Sequence, residues 1–322
     1  TRFSGVTGVQ TCALPISWTV CALLSETVSH RLGAHVVNVL RMVLSLLFIG
    51  ALLWVCTGSP LPPRADATTW GWLLASGLVG YVFGDYCLFN AYLLIGSRFG
   101  QLFMTIAPAV SAVAGWLLLG ERLSAQALLG MEVTTTGIAV SILGRGAPDG
   151  EDEGRRRRKV RLNLPTRGVL LGIGAGVGQG LGLTLSAVGL KHYAAVWTVA
   201  KVGASTAFLL PFAATQMRAV AGLPGFLLLL FLAGKGDALR RACTDGRGWL
   251  LMAATVVFGP FVGVSLSLMA TQYTSTGVAM TIMSLSPVLI LWPAHVLFGQ
   301  RVTRREVLGA LISVAGVALF FV

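Results

Sequence analysis

Three carboxylates fall inside long apolar runs: Glu26, Asp85 and Glu132. A charge at the centre of a bilayer costs several kcal/mol, so such groups turn toward a bundle interior or a wet cavity. There they are candidates for substrate binding or proton coupling. Asp85 is the best placed, with Tyr81, Tyr86 and Asn90 close by to share its hydrogen bonds. Its alternative reading is a hydrogen-bonded packing residue. Glu26 stands one turn from His30, and its alternative is a side chain reaching the interface from a helix end. Glu132 precedes Thr134, Thr135 and Thr136 and could simply mark a helix entrance. Gln179 and Gln272 are polar candidates for lining a cavity. His295, beside Trp292 and Pro293, reads as an interfacial residue rather than a proton relay. Arg41 and Arg218 each open an apolar run, so two readings stand: snorkelling to headgroups, or gating and anion contact. Pro108 and Pro287 fall in the middle of apolar runs, where each removes a backbone donor and can kink a helix.

None of these residues forms a catalytic constellation. The four His make no HExxH, and no nucleophile stands beside a base. The five Cys form no CxxC pair and read as small buried hydrophobes. No metal site and no cofactor is expected, and the chain is not read as an enzyme. No Walker motif is present, so ATP does not drive it directly.

The elements that must carry these residues follow from composition. Of 322 residues, 55% are hydrophobic and only 11% charged, with a mean hydropathy of +0.79. Soluble globular chains carry about 25% charged residues. The net charge of +12 resides in short segments between apolar runs. That placement points to a lipid bilayer as partner and not to nucleic acid. The runs predict spans at 17–33, 36–56, 70–94, 99–119, 125–143, 168–190, 214–234, 248–271, 276–298 and 304–322. No strand-like alternation competes with them.

Residues 145–167 form a charged linker, acidic at Asp149–Glu153 and then basic at Arg155–Lys159. It reads as a solvated connector. The excess of Lys and Arg on its side of the chain places it in the cytoplasm by the positive-inside rule. At the front, residues 6–16 read like the translation of a sequencing adapter. Residues 1–16 are therefore set apart as an artefact, and the first helix is expected to be truncated. Helix 168–190 carries Gly168, Gly172, Gly176 and Gly180 at every fourth position, a pattern for close helix packing within the chain, with a homodimer contact or a hinge for alternating access as the alternatives.

The chain also repeats itself. Trp70-Gly71-Trp72-Leu73-Leu74 resembles Arg247-Gly248-Trp249-Leu250-Leu251, 177 positions on, and Arg41 and Arg218 keep that spacing. Pro108 and Pro287, Gly120 and Gly299, Gly130 and Gly309, and Gly137 and Gly316 are each separated by 179. Val28…Arg31…Ala34 matches Val188…Lys191…Ala194 at a spacing of 160, so the second half holds an insertion near 195–213. The expected fold is all-α: a polytopic membrane protein of about ten transmembrane helices. With five helices per repeat, the second copy enters the membrane from the opposite side. Two inverted five-helix repeats place a substrate site near mid-membrane. The repeats are 17–144 and 168–322.

These residues resemble the EamA family of the drug/metabolite transporter superfamily. The resemblance rests on Arg41, on Pro108 followed by Leu118-Leu119-Gly120-Glu121-Arg122, and on Gly130…Gly137. The second copy supplies Arg218, Pro287, Phe298-Gly299-Gln300-Arg301 and Gly309…Gly316. Gly84-Asp85…Phe89-Asn90-Ala91 is also similar to a segment of that family. Gln300 departs from it, where the usual residue is Glu. The resemblance implies a secondary transporter in the bacterial inner membrane that exports a small metabolite or amino-acid-like compound by alternating access. A passive facilitator or channel, and more remotely a membrane-embedded enzyme, are the alternatives.

Overall fold

The computed structural model describes residues 6–144, 165–199, 208–242, 244–289 and 303–319. The calls at His295, at Phe298-Gly299-Gln300-Arg301 and at linker residues 145–164 lie outside them. Every described element is helical. The first half holds α1 (Val6–Leu32), α2 (Ala34–Thr57) and α3 (Ala67–Gly77). A π-helical segment π1 (Leu78–Asp85), α4 (Tyr86–Phe103), a 3-10 turn (Met104–Ile106), α5 (Ala107–Leu119) and α6 (Ala125–Gly144) follow. The second half holds α7 (Thr166–Val199), α8 (Leu210–Leu232), a short α9 (Gly236–Ala242) and α10 (Gly246–Val256). It continues with a second π segment π2 (Val257–Val264), α11 (Ser265–Ala270), α12 (Thr276–Met283), α13 (Ser286–Leu289) and α14 (Arg304–Ala318). Six spans among the described residues are long and apolar enough to cross a membrane: Ala34–Thr57, Ala67–Ile95, Phe99–Leu119, Thr166–Trp197, Leu210–Leu232 and Gly246–Ala270.

The suspect front of the chain continues into α1 without a break from Val6, with Pro15 inside the helix. Around the insertion, α7 runs on to Val199 and α8 begins at Leu210, so both helices reach into 195–213. Pro211 sits in the first turn of α8, where its missing N–H has no intrahelical partner to lose.

Local devices recur at the spacing of 179. Asp66 caps α3 by accepting from Thr69 N at 3.0 Å, and Asp245 caps α10 by accepting from Gly248 N at 3.1 Å. Ser124 accepts from Ala127 N ahead of α6, and Thr303 forms a capping box with Glu306 ahead of α14. The π segments are both eight residues long and start at Leu78 and Val257. Two prolines stand near helix starts. Pro108 lies in the first turn of α5, straight after the 3-10 turn, and Pro287 is the second residue of α13, after a turn at Ser284–Leu285.

Two glycine seams bring the helices into contact. α6 packs on α14: a Cβ on Gly309 would lie 2.6 Å from the Gly137 carbonyl oxygen, and one on Gly316 2.9 Å from that of Gly130. The rising number on one helix meets the falling number on the other, so the pair is antiparallel. The glycine ridge of α7 faces inward, where a Cβ on Gly178 would come within 2.6 Å of Gly84 Cα. That ridge is used for packing within the chain. The main core gathers around α2, α7, α8 and α10, with Met42, Ile49, Leu190, Met217 and Met252 fully buried.

Candidate functional site

The main core encloses a cavity of about 100 Å³ between the two halves. At roughly 10–15 Å³ per water it has room for several waters, or for a small ligand. Its wall draws on equivalent positions of both repeats. Arg41 of α2 and Arg218 of α8 face it, as do Tyr81 and Asp85 of π1, and Pro260 and Val264 of π2. Gln101 and Met104 line it together with their counterparts Met280 and Met283. α1 adds Trp18, Cys21 and Ser25, and α7 adds Gln179 and Leu183.

Asp85 is 5% exposed and Arg41 4% exposed. Arg41 Nη2 donates to Asp85 Oδ2 in a buried ion pair. Gln179 Nε2 donates to the other carboxylate oxygen at 2.6 Å and approaches the Gly80 carbonyl at 3.3 Å. Both oxygens of the carboxylate are therefore engaged, which a buried charge requires. The Arg41 guanidinium also lies 5.1 Å from the Phe89 ring centroid and 5.9 Å from that of Tyr81. Arg218 stacks on the same tyrosine ring at 4.4 Å. These are cation–π distances. The two arginines read as snorkelling or as anion contacts are thus both buried inside the protein.

Of the sequence candidates, the structure brings Asp85 and Gln179 together. Tyr86 and Asn90 stand near Asp85 in sequence but do not line the cavity: Asn90 Nδ2 donates to the Tyr86 carbonyl at 2.7 Å, and the Tyr86 ring packs on His35. Glu132 is exposed on α6, because that helix buries the face of Gly130, Thr134 and Gly137 against α14. Gln272 is exposed in the turn after α11. Glu26 lies on α1, one residue beyond the lining Ser25. The sequence reading missed Gln101, Trp18 and the methionine pair. Polar or flexible residues at positions 179 apart could have pointed to Gln101, Met104, Met280 and Met283.

A second contact joins the halves away from the cavity. Glu121, in the Gly120-Glu121-Arg122 turn, accepts from Thr276 N at 2.9 Å and from Thr276 Oγ1 at 2.8 Å. A carboxylate on the unsatisfied amides of a helix start is favourable. Here it ties the end of α5 to the start of α12.

A multi-pass helical protein with a small, partly charged cavity at its centre has the build of a membrane transporter. The family model of the EamA-like transporter family matches residues 8–143 and again 180–322, and the chain belongs to that family. Two repeats thus cover nearly the whole chain. Twenty-eight chains of solved structure match it. One of them, a crystal structure, is 17% identical over 96% of both chains with a TM-score of 0.61, a likeness of fold alone. No curated protein matches significantly.

Proposed function

We propose that this chain is a secondary transporter that exports a small metabolite or amino-acid-like compound by alternating access, with ten transmembrane helices arranged as two inverted five-helix repeats. The observation that carries this reading is the cavity, whose wall pairs Arg41 with Arg218 at a spacing of 177, and Tyr81 with Pro260 and Met104 with Met283 at 179, from the two repeats. The antiparallel packing of α6 on α14 supports the inverted relation. Their contacts pair Gly137 with Gly309 and Gly130 with Gly316, and exchanging the helices returns the same pairs. Such a relation needs a two-fold axis across the helices, in the plane of the membrane. Exchange of conformations between the repeats would open the cavity to each side in turn.

Asp85 is the coupling residue of this reading and Gln179 its partner. Asp85 neutralises Arg41, so its protonation would change the charge that the cavity presents to a substrate. Counterflow in proteoliposomes tests the transport claim. Unlabelled substrate on the far side should accelerate entry of labelled substrate. Flux without such trans-stimulation would replace the carrier by a passive facilitator.

A further inference from the structure

The cavity is not balanced in charge or in hydrogen bonds. Its charged residues, among the described ones, are Arg41, Arg218 and Asp85. Arg41 and Asp85 satisfy each other. Arg218 is 4% exposed, lines the same cavity, and has no carboxylate within ion-pair distance among the described residues. Three donors in this wall are buried with no hydrogen-bond partner among the described residues: Arg218 Nε, Arg41 Nε and the Tyr81 hydroxyl. An unpaired buried guanidinium is costly, and a charged acceptor is what removes the cost. Most of the remaining wall is apolar and pliant, with Trp18, Leu88, Phe89, Leu183, Met104 and Met283, and Gln101 and several serines add neutral polar groups. Methionine-rich walls accommodate varied apolar shapes.

We propose that this cavity takes a small organic monoanion, a carboxylate on an apolar body, with Arg218 as the residue that receives the carboxylate. The proposal rests on the transporter reading for its biological meaning but concerns binding alone. The carboxylate accepts from the Arg218 guanidinium and the Tyr81 hydroxyl, while the body lies against Phe89 and the methionines. Two guanidinium groups against one carboxylate, itself paired with Arg41, favour an anion over a cation in this cavity.

The test is equilibrium binding of radiolabelled phenylacetate and hexanoate to the full chain in detergent. Phenylacetamide and phenethylamine serve as the neutral and cationic counterparts. Saturable binding of at least one acid is expected, with the amide and amine at least tenfold weaker. Arg218→Gln should weaken acid binding about tenfold or more, since charge-assisted hydrogen bonds are lost, and Arg218→Lys should restore part of it. Tyr81→Phe, which removes only a hydroxyl, should weaken it severalfold and serves if Arg218→Gln does not fold. Binding of neither acid, equal binding of the amide, or acid binding unchanged in both Arg218→Gln and Tyr81→Phe would overturn the proposal. So would displacement of phenylacetate by chloride at equal concentration. The assay needs no transport, so acid binding without counterflow would sink the carrier reading and leave this site standing. Counterflow of a substrate without acid binding would do the reverse.

Discussion

Arg41 on α2 and Asp85 at the end of π1 form an ion pair that is sealed from solvent and shared with the Gln179 amide. A buried pair of this kind adds little net stability when intact, yet removing one partner strands the other charge.

A double-mutant cycle should therefore be strongly non-additive. Asp85→Asn and Arg41→Gln should each cost about 3–5 kcal/mol of stability, and the double variant less than the sum of the two. Denaturation of the purified variants in detergent reads this out. The double variant should also lose proton-driven uptake in vesicles at normal abundance. Wild-type uptake by that variant would reduce Asp85 to a packing residue and move attention to Glu26 and Glu132.

Glu121 should matter through the helix it caps. Glu121→Ala removes the acceptor for Thr276 N and Oγ1 and should cost about 1–2 kcal/mol, while Glu121→Gln keeps an acceptor and should cost less. Melting temperatures of the two variants in one detergent decide the order. Gln300 stands at the matched sequence position of the second repeat.

Asp245 gives a pH-dependent prediction outside the membrane-spanning segments. The hydrogen bond from Arg31 and the backbone bond from Gly248 hold its carboxyl below the usual aspartate value of about 3.9. A depressed folded-state value means that its stabilisation is present above that ordinary value and fades as pH falls through the folded one. The melting temperature of the wild type should exceed that of Asp245→Asn from neutral pH down to about pH 5. The gap should close below about pH 4. A gap that stays constant down to pH 3 would show that the charge contributes nothing.

Much of this was readable in the sequence, for identifiable reasons. Asp85 stood out because a carboxylate in an apolar run has few tolerable places, and Gln179 for the milder version of that reason. Pro108 and Pro287 could be singled out because a missing N–H is a local fact. Arg41 and Arg218 were ambiguous because a residue at the edge of an apolar run looks the same whether it ends a span or sits inside one. The apolar run predicts a start at 214, whereas α8 begins at Leu210, which puts Arg218 more than two turns into the helix. Glu132 was equally ambiguous, since its side chain's direction depends on which face of α6 meets α14. The π segments were invisible, because a change of hydrogen-bond partner from the fourth to the fifth residue along has no residue-type signature.

Those wider turns govern which way Asp85 looks. Leu73, Gly77, Tyr81 and Asp85 are all buried, as are Met252, Val256, Pro260 and Val264 in the other half. Both sets advance four residues at a time. An α-helix completes a turn in 3.6 residues, so each such step overshoots by about 40°, and three steps by about 120°. A stripe of that kind would wind a third of the way around an ordinary helix and carry the carboxylate off toward the lipid. Loosening the coil through Leu78–Asp85 lengthens the turn and keeps the stripe straight. The aim of the central carboxylate is thus a property of how the strand of backbone is wound, and tightening that coil would swing it aside without moving a single helix.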